Sequence, residues 1–265
     1  MKPGHVRAAL TLPLFSVAAF ILVLVYLPAR RFGWRFAGSL QMAFHRLVLW
    51  TLGIRLHVHG RPTAERPLLL AANHASWIDI SAYSAVMPLS FVAKREVGAW
   101  PLLGFFARLQ RSVFIDRTRR GATADQADSI GRRLANGDVI MLFPEGTTSD
   151  GNQVLPFRSA LFGSARTALE ETGIDVVFVQ PVAIAYTHML GLPLGRSGRS
   201  IVSWVGDQDL APHAKEMFAA SDFDVSIIFG EPIRFDRSAD RKKVSLEAEA
   251  AVRRLLAAEL RGGRV

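Results

Sequence analysis

From Ala8 to Ala29 the chain reads AALTLPLFSVAAFILVLVYLPA without a single charge. At about 1.5 Å of rise per helical residue, such a run reaches across the roughly 30 Å hydrocarbon layer of a bilayer. Lys2 and Arg7 precede it, and Arg30, Arg31 and Arg35 follow. A cleaved signal peptide is the alternative. Its apolar stretch is usually about 7–15 residues, however, and no small-x-small cleavage site follows this one cleanly. The run therefore predicts an N-terminal transmembrane or membrane-inserted helix, entered or kinked at Pro13. The larger downstream basic cluster favours a cytoplasmic C-terminal part. A second apolar segment, Phe36 to Ile54, is interrupted by Gln41, His45 and Arg46. It fits either an interfacial helix or an ordinary core helix. Residues 1–54 are thus expected to anchor and residues 55–265 to form the main domain.

The remaining 211 positions allow one sizeable core. The 32 Lys and Arg against 23 Asp and Glu leave +9, which suits an anionic partner. No nucleic-acid-binding module or aromatic-interleaved basic cluster accompanies that charge, so a membrane surface is the expected partner and nucleic acid is not. The absence of cysteine excludes disulfides, a thiol nucleophile and Cys-based metal sites.

Short apolar runs alternate with helical patterns. Strands are predicted at 68–72, 89–93, 113–115, 139–143, 176–185, 201–205 and 225–229, and helices at 78–86, 123–135, 160–171 and 242–260. Such alternation implies an α/β domain, a mostly parallel central sheet flanked by helices, because parallel strands need crossover connections. The stretch GLPLGRSGRS, 191–200, reads as a flexible basic loop.

The segment LLLAANHASWID, 68–79, ends an apolar strand in Asn73-His74 and opens a helix near Ser76. His74 then sits at the carboxyl end of a strand, where open α/β sheets place their ligands. Asp79 follows five residues on, and its carboxylate can fold back toward the imidazole once the chain turns. A carboxylate on one ring nitrogen fixes the tautomer and leaves the other nitrogen free to take a proton. Read alone, such a pair is more often a structural histidine with a neighbour. What decides is the company it keeps.

That company is specific. Residues 94–117 begin KREVGAWPLLG and end VFIDR; FPEGTTS occupies 143–149, LPFRSALF 155–162 and VQPVAI 179–184. With NHASWID these blocks, in this order over roughly 55–185, resemble the glycerolipid acyltransferase family, which includes 1-acylglycerol-3-phosphate acyltransferases. The resemblance implies an O-acyltransferase of lipid biosynthesis at a membrane, expected to be the bacterial inner membrane with residues 55–265 as its cytoplasm-facing catalytic domain. It implies that His74 deprotonates a lyso-lipid hydroxyl as it attacks an acyl thioester, while Asp79 orients the imidazole. The donor would be acyl carrier protein or CoA. No metal or organic cofactor is implied, since the thioester is a substrate. Arg117 and the Glu145-Gly146-Thr147 turn would shape the head-group pocket, with Asn73 and Lys94 completing the substrate-binding set. Guanidinium suits phosphate because its planar fork pairs two oxygens. Backbone amides near Lys94 to Gly98 are candidate oxyanion donors.

One departure bears on the acceptor. The commonest third block in the family has arginine where this chain has Thr148. Losing that contact removes roughly 1.5–3 kcal/mol from a phosphate pocket, which Arg158 could supply instead. Alternatively the acceptor is not a phosphate ester. GTTSDGNQVLPFRSAL and WVGDQDLAPH (204–213) are similar to the lyso-ornithine lipid branch of the family, where the hydroxyl belongs to a hydroxy fatty acid on an aminoacyl lipid. Family frequency favours 1-acyl-sn-glycerol-3-phosphate, giving phosphatidic acid, and lyso-ornithine lipid is the alternative. A lipid hydrolase would show G-x-S-x-G, which the surroundings of Ser159 and Ser164 do not match. His57 and His59 alternate on a strand with no third zinc ligand nearby. His188 and His213 are expected in surface loops, His213 within reach of a head group.

Overall fold

The computed structural model describes residues 3–115, 122–172, 174–206, 208–220 and 222–262. In chain order its elements are α1 (Pro3–Arg31), α2 (Ala37–Leu52), β1 (Ile54–His59), β2 (Leu68–Ala72), α3 (Ile78–Val86), β3 (Ser90–Lys94), α4 (Arg95–Ala99), α5 (Pro101–Leu109) and β4 (Val113–Ile115). There follow α6 (Ala122–Ala135), β5 (Ile140–Leu142), α7 (Gly163–Thr172), β6 (Val176–Met189), β7 (Leu192–Pro193), α8 (Leu210–Ala220), β8 (Phe223–Phe229), β9 (Ile233–Asp236) and α9 (Arg241–Leu260).

The strands form one sheet in the order β1-β8-β6-β2-β5-β3-β4, with β7 and β9 also pairing with β6. Pairing is parallel from β6 through β2, β5 and β3 to β4, and between β1 and β8. It is antiparallel where the long β6 meets β8, β9 and β7. The period-two alternation of a strand divides β2 between two cores. Leu68, Leu70 and Ala72 face the side covered by α2 and α3, whereas Leu69 and Ala71 face α7 and α9. Both faces are covered, which is why β2 is uniformly apolar rather than alternating.

α2 resolves the two readings of residues 36–54. It buries Leu49 and Leu52 in the core shared by β2 and β6, and stops at Gly53, whose φ of 75° a β-carbon would strain. Residues 3–54 are therefore continuous in packing with the sheet through α2. α1 differs. Within its stretch Arg7–Arg31 an 18-residue window has a mean hydropathy of 2.5 with only 11% of it buried. It packs on α2 and α8 along one side and exposes Leu10, Leu14, Val17, Phe20, Ile21 and Leu24 on the other.

The strand predicted at 201–205 is not formed. Residues 198–201 make a 3-10 turn, and the following backbone leaves the sheet because Trp204 N–H donates to the Ala75 carbonyl at 2.8 Å. Nor is 191–200 merely a basic loop. It holds β7 and the buried Arg199, whose guanidinium donates to Asn152 Oδ1 at 2.7 Å.

Candidate active site

β2 ends at Ala72, paired with Val182 of β6. Asn73 then extends the ladder with its side chain: Nδ2 donates to the Ile184 carbonyl at 3.0 Å and Oδ1 accepts the Ile184 N–H at 2.9 Å. Its expected place was in the substrate-binding set; the structure places it at the strand end. Asn73 is fully buried and its amide is committed to backbone, so it pins the strand end from which His74 departs.

The chain turns sharply after His74 because Asp79, in the first turn of α3, gathers it. Asp79 Oδ2 accepts His74 Nδ1–H at 2.7 Å, Ala75 N–H at 2.7 Å and Ser76 N–H at 3.0 Å. Its other oxygen, Oδ1, accepts the Tyr186 hydroxyl at 2.5 Å. The carboxylate is completely buried, while the His74 side chain keeps 18% of its surface. With Nδ1 so engaged, the proton belongs on Nδ1 and Nε2 is the lone-pair nitrogen. Among the described residues Nε2 has no protein partner. The ring lies flat on Phe143, centroids 4.0 Å apart and planes 12° apart, and Phe91 stacks on the far side of Phe143. An imidazole held in plane, with one nitrogen oriented and one open, has the arrangement of a general base.

The FPEGTTS turn wraps this pair. Ser149 N–H donates to the His74 carbonyl at 2.7 Å, and Glu145 Oε1 accepts the His74 N–H at 3.1 Å. Burial pushes Glu145 up to about 8, with Asp79 adding to the effect and the His74 and Leu155 amides opposing it. The expected task of Glu145 was to order basic residues of a pocket; in the structure it grips the His74 backbone from inside the protein. Gly146 turns the chain at a φ of 76°, and Thr147 is exposed. Thr148, where the family has arginine, donates its hydroxyl to the Trp204 carbonyl. Arg158 is exposed, its N–H on the Pro144 carbonyl at 2.9 Å. Arg117 lies outside the described residues. Lys94 closes β3 opposite Ile115, and the Lys94–Gly98 amides belong to the end of that strand and the start of α4.

The remaining histidines fall elsewhere. His57 meets Asp224 at 2.9 Å and His59 approaches Glu259 at 3.8 Å, both on the outer strand β1. His188 belongs to β6 beside Thr187 rather than to a loop. His213 is not a surface residue but is buried in α8, where Nδ1 accepts Trp77 Nε1–H at 3.0 Å and burial lowers its basicity. Tyr186, Phe143 and Trp204 were not among the sequence-derived candidates. Of these Phe143 and Trp204 lay inside the motifs FPEGTTS and WVGDQDLAPH, and Tyr186 did not.

Residues 55–185 match the family model described as Acyltransferase. The chain is 48% identical over 230 residues to the lyso-ornithine lipid O-acyltransferase of Brucella abortus, an alignment covering 87% of this chain and 85% of that one. The corresponding enzyme of Rhizobium meliloti is 46% identical, covering 83% and 75%. The 1-acyl-sn-glycerol-3-phosphate acyltransferase of Neisseria meningitidis serogroup B is 46% identical over a shorter stretch, 45% of this chain and 48% of that one. In fold, the chain superimposes on the crystal structure of the LPA acyltransferase PlsC from Thermotoga maritima with a TM-score of 0.66, at 22% identity and 99% coverage of both. A strand-end histidine oriented by a buried carboxylate, set in this sheet and matched along nearly the whole length, makes this chain a member of the acyltransferase family, an O-acyltransferase acting on a lyso-lipid.

Proposed function

We propose that the acceptor is lyso-ornithine lipid and that the product is ornithine lipid. The observation that carries this reading is Thr148. Where the family's commonest third block offers a guanidinium to a phosphate, this chain has a hydroxyl spent on the Trp204 carbonyl. The same contact joins the two segments, GTTSDGNQVLPFRSAL and WVGDQDLAPH, that resemble the lyso-ornithine lipid branch. The long alignments agree, since four lyso-ornithine lipid O-acyltransferases match over 67–85% of their length. This reverses the preference drawn from family frequency.

In the proposed reaction His74 Nε2 takes the proton of the acceptor hydroxyl as its oxygen attacks the thioester carbonyl carbon. The C–O bond forms, the tetrahedral intermediate collapses with loss of the C–S bond, and the imidazolium returns the proton to the departing thiolate. Asp79 keeps the Nδ1 proton throughout. General-base help of this kind is worth about 10²–10⁴-fold, so His74→Ala should lose at least that much turnover. The deciding assay offers purified protein lyso-ornithine lipid and 1-acylglycerol-3-phosphate side by side, each with acyl carrier protein and CoA thioesters. Faster turnover of the phosphate ester would refute the acceptor assignment.

The membrane placement follows from how α1 is tied. Near its start Arg7 donates to the Trp50 carbonyl; near its end Tyr26 OH reaches the Leu109 carbonyl at 3.0 Å, and Arg30 reaches the carbonyls of Arg108 and Leu109. The domain thus flanks the helix along its length. Crossing the bilayer would drag polar loops into hydrocarbon, at a cost of several kcal/mol per unsatisfied backbone group. We therefore read α1 as lying in the interface of one leaflet, apolar face down, with exposed Phe32, Trp34 and Phe36 at head-group depth. With an acyl carrier protein or CoA thioester as donor, the catalytic side would face the cytoplasm at the inner membrane.

A further inference from the structure

Resting on the acyl-transfer reading of the His74–Asp79 pair, we infer that Tyr186 is its positioning residue: the phenol holds the Asp79 carboxylate in the orientation that presents Oδ2 to His74 Nδ1. The two oxygens of Asp79 are served from different places. All three donors on Oδ2 come from residues 74–76, the turn that leads into the carboxylate's own helix. They travel with α3 and fix the carboxylate only relative to that turn. The Oδ1 donor comes from β6, 107 residues along the chain and on the far side of the β2 strand end. Tyr186 is the hydrogen bond that references the carboxylate to the sheet.

The surroundings of Tyr186 suit that task. Its side chain is 1% exposed, in the core that also holds Phe143. The register of β6 against β8 shifts immediately after it, between Tyr186 and His188. Bulges of this type re-aim a side chain and recur beside active sites. Its carbonyl accepts Arg199 Nε–H at 3.3 Å, and Arg199 in turn reaches Asn152 in the loop after FPEGTTS. Tyr186 thereby links the carboxylate to both loops that wrap the site.

The phenol also sets how strongly the carboxylate pulls on the imidazole proton. A donor on Oδ1 withdraws charge from the Oδ2 side, and removing it strengthens the attraction for a protonated ring. Titratable groups facing Asp79 come from every element around it: His74 after β2, Tyr83 on α3, Glu145 after β5 and Tyr186 on β6. Burial raises Glu145 to about 8 and pushes Tyr83 further toward its neutral form.

The test uses the full chain in detergent or vesicles. Tyr186→Phe fills the same space without the hydroxyl. Expected is a fall in kcat of roughly 10- to 100-fold, the loss typical of a misplaced catalytic group, with KM for acceptor and thioester nearly unchanged. The acid limb of the pH–rate profile should move to higher pH, and in an Asp79→Asn background Tyr186→Phe should have no further effect. Wild-type kinetics and pH profile in Tyr186→Phe would overturn the inference. So would a loss of activity matched by loss of folded protein, or an additive effect in the Asp79→Asn background. Failure of the underlying reading looks different, for there His74→Ala itself would leave turnover intact.

Discussion

Two carboxyl groups, Asp79 and Glu145, are buried on either side of the His74 backbone, and their surroundings divide the labour between them. Asp79 accepts four hydrogen bonds, including the one from the imidazole. Glu145 has one oxygen on the His74 amide, and its other, Oε2, has no partner among the described residues. Desolvation therefore dominates at Glu145 and lifts it from an ordinary 4.5 to about 8. Because the folded value lies above the unfolded one, folding takes up a proton. The stability linked to this group is complete below about 4.5 and is lost as pH rises through about 8. Glu145→Gln keeps the acceptor for the His74 amide and cannot ionise. Its melting temperature should stay level across that window while that of the wild type declines. Parallel curves for the two proteins would contradict a protonated Glu145.

At the scale of elements, the site is a junction where β2 and β5 end beside the longer β6 and α3 begins. Asn73 matters there as a splice. Its amide continues the β2–β6 ladder by bonding both polar groups of Ile184 where strand pairing has stopped. Asn73→Ala leaves a buried N–H and a buried C=O unpaired, each costing about 1–3 kcal/mol. Denaturant unfolding should report a loss within that combined range, and a loss below about 1 kcal/mol would mean that the ladder closes without the splice. The Phe143 ring, from the last residue before the Pro144 turn, plays a similar part by contact: it is the floor on which the imidazole lies. Phe143→Ala should lower kcat more than it raises KM for either substrate, because the ring is stacked on the imidazole. A change confined to KM would assign Phe143 to substrate binding instead.

For the whole molecule, the apolar helix and the catalytic sheet form one body, since α2 contributes Leu49 and Leu52 to the core of β2 and β6 and α1 packs along α2. With α1 in the bilayer as proposed, a domain fastened this way would meet its lipid acceptor without the acceptor leaving the membrane. Phe20→Asp with Leu24→Asp changes only positions exposed on α1. Each aspartate disfavours lipid contact by up to about 2.5–3.5 kcal/mol at full depth, and less at an interface. Vesicle flotation of the double variant should fall sharply while its thermal unfolding in detergent stays near wild type. Undiminished flotation would remove α1 from the membrane contact.

What the sequence determined by itself was local. The apolar run of α1, the alternation behind an α/β sheet, and the His74–Asp79 pair are all legible because the contacts that make them span at most a few turns of chain. The pair, five residues apart, closes within a single strand-to-helix turn. Tertiary structure decided everything that depends on distant segments meeting. Tyr186 finds Asp79 across 107 residues, Glu145 finds the His74 amide across 71, and Thr148 finds Trp204 across 56. For the same reason His213 proved buried against Trp77, 136 residues away, and the run at 201–205 became a wrap over Ala75 rather than a strand. Periodicity reports which face of an element is apolar. It does not report which polar atom waits on the other side of the core, and in this protein those atoms hold the His74–Asp79 pair in place.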